Sequence, residues 1–248
     1  MVFYLSRVVL VVMTTLAGIT WADFTCVPPP TRAGVSPARP SILESMNDFQ
    51  ARIEVNVLDK NYSMVVDEYL DYTGNRGALV AYRQGVKEMV LYSYVTGEVF
   101  HVNLADKSCV TKNISDDSNS FIFGPFSLGN PGDPQKHIFS SAQALKFAAN
   151  ANDIYLGTKN VRGIPADVWT TCLPWPSVSG QVNATFYFSV PGWNVSGPIQ
   201  QVPLRIEVEG DSDVAQYGVT LGTTLAPGSK RHFHHIYDFI AATPPYLR

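Results

Sequence analysis

The sequence predicts a mainly β protein with minor α content, its strands paired antiparallel in a curved sheet with one apolar face. Three observations point there. Ile53, Val55 and Val57 alternate with Arg52, Glu54 and Asn56, the period-two pattern of a half-buried strand. Short β-rich runs then follow at Ala78–Arg83, Glu88–Tyr94 and Glu98–Leu104, separated by Gln84-Gly85 and Val95-Thr96-Gly97, which is the spacing of a meander. Finally, Val161 to Pro174 combines a turn, a large aromatic and a half-cystine within the length of one hairpin.

The chain begins with a targeting signature. Arg7 is a short basic region, Val8 to Ala17 is an apolar run, and Thr20-Trp21-Ala22 offers small residues at both cleavage positions, so residues 1–22 read as a signal peptide. The run is shorter than the ~20 apolar residues that span a bilayer. No later stretch is long and apolar enough to cross, and the mature chain is expected to have no transmembrane segment. It is soluble, or cut from a longer membrane-anchored protein. Residues 23–48 form a Pro/Ser-rich arm without periodicity, and the domain occupies 49–248.

Within that domain, Phe49 onward is the first strand and Ser63–Tyr72 the second, before a turn at Thr73-Gly74-Asn75-Arg76-Gly77. Glu54, Asp67 and Glu68 read as charges facing water on a half-exposed sheet rather than as a carboxylate pair for catalysis. After the meander, Asp116–Pro134 is loop-like around an apolar island, Phe121–Phe126. Ser140-Ser141 caps a helix over Ala142–Asn150, with Ala144, Leu145, Ala148 and Ala149 at helical spacing. So short a helix needs a surface to lie on, and the concave side of the sheet is one.

The hairpin comes next: Ile154–Val161 and Val168–Cys172 flank Arg162-Gly163-Ile164-Pro165, which joins a residue free to take positive φ to one with φ fixed. Trp169 is its candidate core residue. Ala184–Val190, Pro203–Glu209 and Lys230–Ala241 complete the strands, and Leu204, Ile206 and Val208 alternate cleanly with Arg205, Glu207 and Glu209.

Four Asn-x-Ser/Thr sequons, at Asn61, Asn113, Asn183 and Asn194, agree with a secretory route and predict glycosylation. A formal net charge of -3 removes any broad electrostatic case for nucleic acid as a partner. With 46% hydrophobic and only 16% charged residues, the chain has either a large β core or much ligand-facing apolar surface. Three cysteines cannot all pair within one chain. Cys109 follows a strand and Cys172 closes the hairpin, so these two are expected to pair, a bridge worth about 4 kcal/mol on the chain-entropy estimate. Cys26 is left in the arm, its partner in another molecule or a missing segment. Nothing nearby lowers its pKa as a catalytic thiol would require.

Chemical motifs are sparse. His232 and His234 of His232-Phe233-His234-His235 would project from one strand face, close enough to share zinc, but no second ligand set stands at recognisable spacing. They read as solvated strand histidines. There is no Gly-x-Ser-x-Gly, phosphate loop, His-Glu-x-x-His or dinucleotide fingerprint. The expectation is a protein without catalytic residues, metal or cofactor.

The order of these segments carries a family resemblance. The meander with Gly97-Glu98-Val99-Phe100 and Cys109, then Val161-Arg162-Gly163-Ile164-Pro165 with Trp169 and Cys172, then Phe186-Tyr187-Phe188, Pro203-Leu204-Arg205-Ile206 and Ile236-Tyr237-Asp238-Phe239, resembles the LolA-like domains of secreted and cell-surface animal proteins. Those domains are similar to ependymins and, more distantly, to the bacterial carrier of outer-membrane lipoproteins. The resemblance spans about Phe49 to Pro245. It implies a strongly bent antiparallel sheet, a half-barrel covered by one or two helical segments around an apolar cavity for acyl chains.

On that reading, Ile53, Val55, Val57, Val80, Tyr82, Leu91, Trp169 and Phe188 are the candidate ligand-lining residues, with 142–150 and 121–126 as a lid. Ependymin kinship also raises calcium, for which Asp211-Ser212-Asp213 and Asp116-Asp117 are candidates, but such clusters are usually turn formers and no EF-hand pattern is present. The function expected is that of a secreted glycoprotein binding a hydrophobic ligand, a lipid or fatty-acyl molecule. The alternative is an adhesion or recognition module with a filled core, contacting a cell-surface protein.

Overall fold

The computed structural model describes residues 26, 37–38, 40, 48–71, 74, 76–83, 85–114, 122–123, 137–138, 145, 153–174, 181–193, 201–213 and 230–243. The signal peptide over 1–22, the acidic pair at 116–117 and the sequon at 194 lie outside the described residues. So do all but Leu145 of the helix expected at 142–150 and all but 122–123 of the island at 121–126.

The first meander comprises β1 (Asp48–Val57), β2 (Tyr62–Asp71), β3 (Arg76–Arg83), β4 (Val86–Ser93), β5 (Glu98–Asn103) and β6 (Cys109–Asn113). A 3-10 turn, Leu58–Lys60, links β1 to β2 and ends at Asn61 with φ 54. β7 (Ile122–Phe123) and β8 (His137–Ile138) pair only with each other. The second meander comprises β9 (Ile154–Val161), β10 (Ile164–Pro174), β11 (Gln181–Ser189), β12 (Pro203–Asp213) and β13 (Lys230–Thr243).

Eleven strands make one sheet in the order β6-β5-β4-β3-β2-β1-β13-β12-β11-β10-β9. Within each meander, every strand pairs antiparallel with its chain neighbour, as tight turns dictate. The two meanders meet where β1 pairs with β13, from Gln50 opposite Thr243 to Val57 opposite His235. The first and last strands therefore lie in the middle, and β6 and β9 are the edges of an unclosed sheet.

Three register shifts bend this sheet, at Arg52/Ile53 against β13, Val168/Trp169 against β9 and Tyr187/Phe188 against β12. Each leaves one residue unopposed and increases the local twist. Curvature shows in one contact: Arg162, at the β9–β10 turn, donates from Nη2 to the Phe239 carbonyl oxygen at 2.5 Å. β10 and β13 are three strand positions apart, about 14 Å in a flat sheet. A single guanidinium bridges the gap only because the sheet curls.

The main apolar cluster lies on the concave face and takes residues from both meanders, among them Val55, Val66, Val90, Trp169, Phe186 and Ile206. Leu145, in helical conformation, is fully buried in it. The convex face is stitched by two-toothed ion pairs: Arg52 to Asp67 at 2.6 and 2.8 Å between β1 and β2, and Arg205 to Asp238 at 2.8 and 3.1 Å between β12 and β13. A smaller apolar cluster, Val161, Ala166, Val168, Tyr187 and Leu204, lies across β9 to β12.

The expected Cys109–Cys172 bridge is corrected. Cys172 is bonded to Cys26, and Cys109 is free and exposed on edge strand β6. The topology explains why: β6 and β10 stand nine strand positions apart, roughly 43 Å along a flat sheet, whereas a disulfide needs Cα atoms within about 7 Å. The bridge ties the N-terminal arm to β10, leaving the meanders to be joined by strand pairing.

Cys26 and Cys172 are 146 positions apart, and closing so long a loop is worth about 5 kcal/mol on the chain-entropy estimate. Replacing Cys172 with Ser should lower the melting temperature by many degrees, whereas Cys109→Ser should leave it within a degree or two. Non-reducing peptide mapping should recover the 26–172 pair. A mapped 109–172 pair would contradict the topology.

Candidate functional site

The concave wall is built by alternation. Ala51, Ile53, Val55 and Val57 all point inward from β1, and register carries that face outward strand by strand: Ile53 opposes Val66, Val66 opposes Ala81, and Leu79 opposes Val90. On the other side Ile53 opposes Phe239, Tyr237 opposes Ile206, and Ile206 opposes Phe186, which opposes Trp169. Tyr155, Trp169 and Phe188 form an aromatic run, with ring centroids 5.5 Å and 5.9 Å apart in successive pairs.

Of the eight expected lining residues, Ile53, Val55, Val57, Trp169 and Phe188 are in this wall. Val80, Tyr82 and Leu91 are not: the same register puts them on the convex face, and Tyr82 and Leu91 are each 38% exposed. Their inward counterparts are Leu79, Ala81, Val90 and Tyr92. Because Ala78–Tyr82 is apolar at every position, hydrophobicity cannot tell its two faces apart; only pairing with β2 does.

The wall also holds polar groups that the sequence pattern does not reveal. Glu68, expected to face water, opposes Ala51 and Leu79 on the inner face and is 1% exposed. Tyr92 lies across from Gly77, is 3% exposed, and its hydroxyl has no hydrogen-bond partner among the described residues. Burial, with Glu68 and Tyr94 adding to it, pushes this phenol well above its ordinary pKa, so it remains a protonated donor. Asp67, the third carboxylate expected in water, lies on the convex face but is also buried, answered by Arg52.

Two further polar groups sit toward the ends of the wall. Asp167 accepts from Tyr155 Oη at 2.8 Å and from Thr158 Oγ1 at 3.3 Å. At the β1–β13 end, Asp59 pairs with His235 Nε2 at 3.2 Å, and His235 Nδ1 lies 3.3 Å from Tyr237 Oη. Burial pushes the Asp59 carboxyl up, but hydrogen bonds from His235 and the His234 backbone, with the His235 charge, leave it below the usual carboxylate value of 3.8.

His232 and His234 do project from one face of β13, as the alternation requires. Each is engaged by β12 carboxylates: His232 by Asp211 at 3.1 Å and Glu209 at 3.2 Å, His234 by Glu207 at 2.7 Å. Among the described residues no group of three or more His, Cys, Asp or Glu is placed to hold a metal ion. Of the sequons, Asn61 and Asn113 are exposed, whereas Asn183 is half-buried and accepts from Thr170 Oγ1 at 2.7 Å. No helix among the described residues is long and apolar enough to cross a membrane.

A curled, unclosed antiparallel sheet whose concave side is apolar from both meanders defines a LolA-like half-barrel. The chain belongs to the family of the metazoan 2nd LolA-like domain, whose model matches residues 39–245. Among solved structures it is similar to LprF from Mycobacterium bovis, at 10% identity over 83% of this chain and 95% of that one, TM-score 0.41. It is also similar to the lipoprotein LppX from Mycobacterium tuberculosis, at 14% identity over 82% and 90%, TM-score 0.40. An uncharacterized conserved protein from Thermus thermophilus matches at 8% identity over 84% of each chain, TM-score 0.40. Comparison with curated proteins finds no match. The solved structures are distant likenesses, and family membership stands on the sequence match.

The wall's packing and charge generate two expected outcomes. A Cβ on Gly77 would overlap the Tyr92 hydroxyl and come within 2.8 Å of the Tyr69 carbonyl oxygen, so Gly77→Ala should destabilise the fold by about 1–3 kcal/mol in urea titration. An unchanged midpoint would show that Tyr92 does not lie over this glycine. Asp59, with its folded pKa depressed, contributes stability present above about pH 4 and lost as pH falls through the folded value. Asp59→Asn should therefore be about 1–2 kcal/mol less stable than wild type at pH 7, with the gap closing near pH 2. A constant gap across that range would remove the carboxylate from the account.

Proposed function

We propose that this chain is a secreted glycoprotein that binds a hydrophobic ligand, a lipid or fatty-acyl molecule, against the concave face of the half-barrel. One observation carries the reading: an unclosed sheet presents apolar side chains from both meanders on one curved surface, with Leu145 buried against it. Burying a guest there contributes about 0.8 kcal/mol per CH₂, so affinity needs no catalytic group. The Cys26–Cys172 bond supports an oxidising compartment, and the exposed Asn61 and Asn113 support glycan attachment.

A second reading, a recognition module contacting a cell-surface protein, draws on the convex face. Tyr69, Tyr82 and Leu91 are exposed together across β2 to β4, with Lys87 Nζ 4.9 Å from the Tyr82 ring centre. Tyrosines at an exposed apolar surface suit protein contacts.

Organic extraction of protein purified from a secreting cell, followed by mass spectrometry, should recover a stoichiometric lipid. The stripped protein should then take up a fluorescent fatty-acyl probe. Protein that carries no lipid and takes up no probe would rule carriage out and favour recognition. N-terminal sequencing should begin at Asp23, and an enzyme that removes N-linked glycans should reduce the apparent mass.

A further inference from the structure

We propose that Tyr92 and Glu68 form a polar head site in the concave wall, selecting an uncharged long-chain lipid that ends in a hydroxyl. The proposal rests on the carriage reading above and specifies the class of guest.

A phenol 3% exposed whose oxygen has no partner among the described residues is an unusual element of a wall otherwise made largely of Val, Ile, Ala and Phe. An unsatisfied buried hydroxyl costs about 1–3 kcal/mol, and replacing tyrosine by phenylalanine would remove that cost without changing the ring. The hydroxyl lies over Gly77, where the absence of a Cβ gives it space. Glu68 belongs to the same corner: it opposes Leu79, two positions along β3 from Gly77 on the same face, and it interacts electrostatically with Tyr92. Tyr94 walls the corner with an edge contact to the Tyr92 ring, centroids 5.6 Å apart.

The chemistry of the pair decides what fits. Tyr92 remains protonated and offers a donor. A carboxyl oxygen accepts hydrogen bonds whether or not the group is ionised, so Glu68 offers an acceptor. A lipid hydroxyl accepts from the first and donates to the second, satisfying both with one atom. A fatty-acid carboxylate can only accept, so it offers Glu68 no donor and brings a charge into a dry wall. A hydrocarbon end would leave the phenol as it is.

The test compares oleyl alcohol, oleate and 1-octadecene for displacement of a fluorescent acyl probe from delipidated full-length protein at about pH 7, where carboxylates are ionised. Wild type should bind the alcohol about tenfold more tightly than either of the others, the factor expected of a hydrogen-bonded head. Tyr92→Phe should bring the alcohol to within about twofold of the alkene without weakening the alkene. Glu68→Gln should narrow the gap between alcohol and oleate. Equal affinity for all three in wild type overturns the head site while leaving carriage intact, whereas no binding of any overturns carriage and the head site with it. A readout without lipid complements these: Tyr92→Phe should melt at or above the wild-type temperature, since no hydrogen bond is lost. A fall of roughly 5 °C would mean that a buried water already satisfies the hydroxyl, which also overturns the proposal.

Discussion

The architecture depends on the pairing of the first strand with the last. Without the β1–β13 ladder, the chain would be two separate meanders, each with an apolar face and nothing to bury it against. With it, Ile53 faces Phe239 and Val55 faces Tyr237, and both faces become one concave wall. This ladder joins strands far apart in sequence, so its loop-closure cost is offset only once both meanders have formed. The Arg52–Asp67 and Arg205–Asp238 pairs flank the junction on the convex side, at the β1–β2 and β12–β13 ladders, where extended charged side chains fix register without entering the wall.

Much of this is legible in the sequence, and the apolar residues that are not share a cause. Strands with clean alternation go to the face their pattern indicates: Ile53, Val55 and Val57 point in, while Arg205, Glu207 and Glu209 point out. Trp169 and Phe188 are also readable, since large aromatics in β-rich runs go to the core. Val80, Tyr82 and Leu91 fall on the unexpected face because Ala78–Tyr82 and Met89–Tyr92 are apolar at every position, so the periodic signal vanishes. The strand β6, five exposed residues at a sheet edge, carries no burial pattern to read.

The departures among polar residues have a different origin. Glu68 reads as solvated because glutamate almost always is, and only the register against Ala51 and Leu79 turns it inward. Cys109 and Cys172 look like partners because each stands at a strand end, but proximity in a sheet is set by strand order, which a one-dimensional pattern does not contain. The bond to Cys26 fastens the arm to the second meander near the open β9 edge. The Glu68 correction turns on register between neighbouring hairpin strands, and the cysteine correction on the long-range strand order of the sheet.

Whether that wall holds a guest can be decided by a crystal structure of the protein isolated in its native state, without extraction. Carriage requires elongated density among the inner side chains of the two meanders. If those side chains were instead in van der Waals contact with protein atoms along the whole face, the interior would be a filled core and carriage would be wrong.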